Sequence, residues 1–378
     1  MGSSQKQPDR LQVLRPRLPD AERLLPYLRA IDGTRVYSNF GPLSSALATR
    51  LCQTFGLPDG SAICTSSGTT ALVGAILATA GRASPERPLA AIPAFTFVAT
   101  AAAVHQCGYE PYLLDIDADS WLLNPWELAK HPMLSKFGVV VPVAPFGRRF
   151  HQRDWQAFTA ATGVPVVIDA AASFDTALCA PPDHLGEVPV VLSFHATKSF
   201  GTGEGGAVIC TNGEIIEGVR RCLNFGFLDS RDSGSASTNG KMSEYHAAVG
   251  LAELDGWPTK AWQWSNAAGL YRSAMEALQL SQHLAAYPTV SGCYALLVCR
   301  TQQQAEAAEQ ELDRANIDCR RWYGAGVHHQ HYFRNVDRDL LRVTNDILPR
   351  LIGLPMAPDL AGEDVDRVVT SLRPVLSS

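Results

Sequence analysis

Charge is scarce in this chain, paired cysteine motifs are absent, and no apolar run is long enough for a membrane span. Only 18% of the 378 residues are charged, and 32 Lys+Arg against 37 Asp+Glu leave a formal net charge of -5. That balance gives no support to wholesale binding of nucleic acid or an anionic membrane. The nine cysteines, from Cys52 to Cys319, are odd in number and scattered without a CxxC pair. Neither a disulfide framework nor a zinc site is expected, and a reducing, cytoplasmic setting is. The most apolar stretch, Leu89 to Val104, is broken by Pro93, Thr96 and Thr100 and falls short of the ~18 residues a span requires. The opening MGSSQKQPDR is polar, which predicts no secretory leader. Walker A, HExxH, GxSxG and EF-hand patterns are missing. His328, His329 and His331 cluster without a flanking carboxylate pair, so no metal is expected.

What the chain does have is apolar material, 46% of its residues, and a length that suggests two or three domains at roughly 100–200 residues each. Short β-branched runs alternate with amphipathic stretches: SAICTSS, PLAAIPAF, EPYLLDID, GVVVPVAPFG, PVVIDAA, VPVVLSFHA and GGAVICT read as strands. TTALVGAILATAG, TFVATAAAVHQCG and RDWQAFTAATG read as helices between them. Such alternation implies a mostly parallel central sheet flanked by helices, with ligands beyond the carboxyl ends of its strands. After about residue 258 a long helix over 260–280, the strand YALLVCR, a helix over 302–315 and a last helix over 362–372 describe a smaller C-terminal α+β domain. The expected division is an N-terminal arm over 1–35 with one short helix, a large α/β domain over 36–258, and the small domain over 259–378.

Three motifs carry chemistry. Ser66-Ser67-Gly68-Thr69-Thr70 stands between a strand and a helix, where hydroxyls and free amides make an anion site; an ordinary Ser/Thr cap has the same pattern. Asp169 closes the apolar strand over 164–168, as a fixed charge for a ligand cation or as a cap for the next helix. Lys198 is the one lysine between Lys136 and Lys241 and directly follows an apolar strand, where burial lowers an amine's pKa toward Schiff-base chemistry. Gly201, Gly203 and Gly206 satisfy GxGxxG, but a strand rather than a helix follows, so the dinucleotide reading is rejected. In this order, phosphate cup, carboxylate and lysine describe a pyridoxal 5'-phosphate (PLP) site.

At these residues the chain resembles the DegT/DnrJ/EryC1/StrS sugar aminotransferases of PLP fold type I. The resemblance runs through SNFGPLSSALATRL, SSGTTAL, IPAFTFVATAAAVHQCGYEPYLLDID, VVIDAAASFD, SFHATKSFGTGEGGAVI and TNGKMSEYHAAVGLAEL. It implies that Gly68, Thr69 and Ser193 contact the cofactor phosphate. It further implies that the ring of Phe97 stacks on the cofactor, Asp169 holds the ring nitrogen, and Lys198 forms the covalent link. Asn239 corresponds to a residue donated by a neighbouring subunit, so a homodimer with composite sites is expected. Arg321, Trp322 and Tyr323, with Arg320, are candidates for holding a nucleotide-sugar; an exposed surface strip is the alternative.

The implied reaction moves an amino group from L-glutamate to a nucleotide-linked keto-deoxysugar, dTDP-4-keto-6-deoxyglucose by the flavour of SNFGPL, NGKMSE and RRWYG. A 3-keto-sugar or a UDP- or GDP-sugar is the alternative, and a non-catalytic homologue a further one. Sugar dehydratases of the same family carry histidine in place of the lysine, and Lys198 argues against them. One departure stands out: the family usually has Gln or His where this chain has Ala172.

Overall fold

A computed structural model describes residues 10–285 and 292–377. Residues 1–9 of the predicted arm lie outside the described residues. Seven strands build the large sheet: β1 (Ala62–Thr65), β2 (Leu89–Pro93), β3 (Glu110–Leu114), β4 (Phe137–Val140), β5 (Ile168–Asp169), β6 (Val190–Ser193) and β7 (Gly206–Ile209). They form one ladder of order β1-β7-β6-β5 and another of order β3-β2-β4. Parallel bridges Val140↔Val166 and Val143↔Asp169 join the two.

Successive residues of each strand feed opposite cores. Ala91, Val140, Ile168 and Leu192 face one apolar cluster, while Ala90, Val139, Val167 and Val191 face the other. Burial on both faces is why these strands read as unbroken apolar runs rather than as alternation. Only β7 runs against its neighbours β1 and β6. It returns from β6 through the loop 194–205 with no crossover helix, and a direct return permits an antiparallel pair.

The predicted strand PVVIDAA shrinks to Ile168–Asp169, with Val166 held by a single bridge. Helices also form where the sequence reading assigned none, notably Pro42–Phe55, Gly213–Leu223 and Glu244–Asp255. The C-terminal layer is a two-stranded antiparallel sheet, β8 (Ala295–Val298) with β9 (Leu351–Leu354), packed on helices Trp257–Ala277, Gln302–Arg314 and Gly362–Leu376. Its core includes Trp264, Tyr271, Leu297, Leu312, Ile352 and Leu372. Leu11 of the arm joins that core, exchanging backbone hydrogen bonds with Asn316 and Asp318. A fourth cluster ties this layer to the large sheet through Phe95, Phe146 and Trp121 on one side and Leu296, Leu348 and Leu351 on the other. Among the described residues no helix is long and apolar enough to cross a membrane.

Candidate active site

Beyond the carboxyl ends of β5 and β6 lies a cavity of about 490 Å3, roofed by the C-terminal layer. The turn after β1 supplies one wall. Ser67 caps the helix Gly68–Thr79, its Oγ accepting the Thr70 amide at 3.1 Å. The amides of Gly68 and Thr69 fall in the first turn, where a helix offers no internal acceptor. Gly68 and Thr69 line the cavity together with Ser193 at the end of β6. A methyl group on Gly68 would come within 2.8 Å of Ser193 Cβ, so only glycine lets the helix end press onto β6. Orphan amides and hydroxyls at a positive helix end fit a phosphate.

Asp169 closes β5 and is 5% exposed. Its carboxylate accepts Thr100 Oγ1 at 2.7 Å and the Ala171 amide at 3.1 Å. Thr96 and Thr100 share a further 2.8 Å hydrogen bond. Burial pushes the Asp169 carboxyl up from its ordinary value; the two hydrogen bonds and the charge of Lys198 oppose that shift. A carboxylate held this way is poised for a cationic ligand atom.

Lys198 projects into the same cavity, and its Nζ donates to the Tyr294 hydroxyl at 2.8 Å. Burial lowers the pKa of this amine, against the opposing influence of Cys293 and Asp169. Phe97 lies on the wall and is 59% exposed, which leaves a free ring face. Cup, buried carboxylate, depressed amine and open aromatic face together fit a phosphate-bearing aldehyde with a cationic ring, as PLP is.

The remaining candidates divide. Trp322, Tyr323 and Arg320 line the cavity, with the Arg320 guanidinium 5.2 Å from the Trp322 ring. Arg321 does not: its guanidinium forms a two-pronged pair with Glu309 at 2.7 and 2.8 Å, outside the lining. The backbone pairing Arg320↔Gly353 sets this, because adjacent residues of an extended segment point to opposite faces. Gly353 also makes room for Trp322, whose Nε1 would stand 2.0 Å from a methyl group placed there. Asn239 pairs with Asn224 across an isolated bridge and lies outside the lining. His328 of the HHQH cluster bonds Asn345 at 2.8 Å. Among the described residues no group of three or more His, Cys, Asp or Glu could hold a metal ion.

Sequence reading missed several lining residues: Leu14 of the arm, Phe146, His195, Glu204 and Tyr294. Phe146 has a left-handed backbone (φ 56°) and stacks on Tyr323 at 4.5 Å. Positive φ is uncommon for a bulky residue, and nothing in APFG signals it beyond the glycine.

Ala172 also lines the cavity and is 9% exposed. Its carbonyl oxygen is packed so closely under Gly147 that a methyl group there would stand 2.7 Å away. With the Ala172 side chain nearly buried, Ala172→Gln is expected to overpack the wall and cost roughly 1–3 kcal/mol, measured as a drop in PLP affinity and thermal stability. Normal turnover with unchanged or tighter PLP binding would show a vacancy there instead.

The sequence model of the DegT/DnrJ/EryC1/StrS aminotransferase family matches residues 20–373. Protein Rv3402c of Mycobacterium tuberculosis (strain ATCC 25618 / H37Rv) is 31% identical over 380 residues, covering 96% of this chain and 90% of that protein. The dTDP-4-amino-4,6-dideoxy-D-glucose transaminase of Shigella dysenteriae is 27% identical, over 96% of this chain and 98% of its own length. Among solved structures, DesI in the presence of its TDP-sugar product superposes with a TM-score of 0.84 at 26% identity, covering 98% of this chain and 93% of that one.

Proposed function

The chain belongs to the DegT/DnrJ/EryC1/StrS aminotransferase family, and from that premise we propose that it transfers an amino group from L-glutamate to dTDP-4-keto-6-deoxyglucose, giving the 4-amino-4,6-dideoxy sugar. It is a PLP-dependent sugar aminotransferase. One observation carries the assignment of roles: a single cavity gathers the Gly68–Thr69 amides, Asp169 and Lys198 beneath the open face of Arg320, Trp322 and Tyr323. A volume of about 490 Å3 falls within the usual range for small-molecule sites, roughly 300–1,000 Å3.

In the proposed mechanism, PLP supplies an electron sink for negative charge at the substrate carbon. The Gly68 and Thr69 amides and Ser193 would hold its phosphate, and the exposed Phe97 ring would pack against the cofactor. Asp169 would hold a proton on the ring nitrogen, its ionised form then favoured by that cation. Lys198 would be the residue that holds the cofactor covalently, and its free Nζ would be the group that carries a proton to and from the substrate carbon. Its lowered pKa raises the neutral fraction available for both tasks. Arg320 lines the cavity with a guanidinium suited to a diphosphate or carboxylate, and Trp322 and Tyr323 are suited to a nucleoside or sugar face.

The working form in this reading is a cytoplasmic homodimer. Tyr37 and Tyr245 stack at 6.3 Å yet are each 50% exposed, and Phe225, beside Lys241, is also exposed. Such uncovered aromatics along the Asn239 segment suit a second copy of the chain. Nine unpaired cysteines, most of them buried, suit a reducing compartment.

The test is a panel of dTDP-, UDP- and GDP-linked 3- and 4-keto-sugars incubated with glutamate and read by mass spectrometry. The expected result is amination of the dTDP-4-keto sugar in preference to the others. Exclusive turnover of a 3-keto-sugar, or of a UDP- or GDP-sugar, would replace the substrate assignment while leaving the chemistry intact.

A further inference from the structure

The C-terminal layer reaches Lys198 through a polar contact. Tyr294 lies just before β8, and its hydroxyl is 2.8 Å from Lys198 Nζ. Its ring is fixed on two sides by edge-to-face packing, against Phe146 at 5.3 Å and Trp322 at 5.1 Å. Phe146 comes from the loop after β4 and Trp322 from the segment paired with β9, so the ring is wedged between the two layers. A packing role would be served equally by phenylalanine. The hydroxyl is what needs explaining, because a buried polar group costs stability unless it is bonded.

We propose that Tyr294 is a positioning residue for Lys198: its hydroxyl is the seat of the free amine, fixing where Nζ rests whenever the lysine is not covalently engaged. This rests on the aminotransferase reading, in which Lys198 alternates between attached and free. A lysine has four side-chain torsions to restrain, and a fixed partner converts a loose amine into an oriented one. Burial holds the Tyr294 phenol well above its ordinary pKa, so the hydroxyl stays neutral and can accept from an ammonium or donate to an amine. The other titratable groups acting on Lys198 are Asp169 on β5 and Cys293, next to Tyr294. Burial raises Cys293 to about 12, leaving it an uncharged thiol. Asp175 lies behind it, bonded to Ser199 at 3.2 Å and raised to about 7 by burial.

Tyr294→Phe keeps the wedge and removes only the oxygen. In apoprotein, Lys198 is labelled with an amine-reactive reagent across a pH series and its peptide quantified by mass spectrometry. An acceptor for N–H favours the charged amine, so its loss lowers the labelling midpoint, and the neutral amine fraction below that midpoint rises roughly 3- to 10-fold. In holoenzyme, kcat falls roughly 10- to 100-fold, with KM for the sugar nucleotide held within about twofold, as expected of an interaction outside ground-state binding. An unmoved midpoint overturns the proposal, because the contact then has no hold on the amine. So does a shifted midpoint with wild-type kcat, because the contact then has no use. If the wild type aminates no keto-sugar at all, the functional reading fails, and the midpoint comparison still decides on Tyr294.

Discussion

Lys198→Ala is expected to abolish amino transfer, with turnover down at least about 10^4-fold, because the one residue supplies both the covalent attachment and the proton carrier. The loss should be chemical rather than structural. Among the described residues Lys198 Nζ makes one polar contact, to Tyr294, whose hydroxyl can turn to water in the emptied cavity, so the variant should fold and bind PLP reversibly. Borohydride should fix PLP to the wild type at Lys198 and leave the variant unlabelled. Labelling of the variant at one site, or appreciable turnover by it, would move the attachment elsewhere. The variant also tests the subunit arrangement. Mixed with Asn239→Ala, itself expected to be inactive, it should regain partial activity as subunits exchange. One of the two composite sites in a mixed dimer then carries both Lys198 and Asn239. Exchange without recovery would mean that Asn239 serves its own chain.

How much of this was legible in the sequence depended on how local the cause was. Gly68, Thr69 and Asp169 stand at a helix start or a strand end, positions that hydrophobic pattern reveals; Lys198 follows β6 in the loop 194–205 and is marked by its isolation among lysines, while Ser193 at the end of β6 is reached only through the family resemblance. The sheet brings them to one cavity because strand ends of a mostly parallel sheet share an edge. Residues whose role depends on packing between distant segments were not legible. Tyr294 differs in no local way from any aromatic at the start of a strand, and only closure of the C-terminal layer sets it on Lys198. The choice between Arg320 and Arg321 is a matter of register: a bridge to Gly353 turns one into the cavity and the other to Glu309, and a shift by one residue would exchange them. Leu14 reaches the cavity because Leu11 and Val13 pair with residues more than 300 positions away, a separation that no window of sequence spans. Phe146 depends on a left-handed turn that its own residue type disfavours.

Asp169→Asn should separate stability from activity in opposite directions. In the fold the carboxylate accepts from Thr100 Oγ1 and from the Ala171 amide. An asparagine can keep both contacts: its Oδ1 accepts the Ala171 amide, and its Nδ2 donates to Thr100, whose own hydroxyl proton turns to Thr96. Neither partner is stranded, so no buried group loses its bond. Burial raises the folded-state pKa of Asp169 above its unfolded value. A carboxyl raised in this way binds more protons folded than unfolded, so apoprotein stability falls as pH climbs from the unfolded pKa, about 3.9, to the folded one. Asparagine has no proton to lose and escapes that decline. The apo variant should therefore melt at or above the wild-type temperature at neutral pH, with the advantage disappearing near pH 3. With PLP bound the balance reverses, since the wild-type charge faces the ring cation and the amide cannot hold that proton in place. Turnover should fall roughly 10^2- to 10^3-fold, the size seen when one preorganised electrostatic contact is removed. Thermal scans of apoprotein at several pH values, beside single-turnover rates of the loaded enzyme, measure both arms. Turnover within threefold of wild type would show that Asp169 is a strand-end cap and nothing more. A strongly destabilised apoprotein at neutral pH would show that its charge is needed by the fold itself.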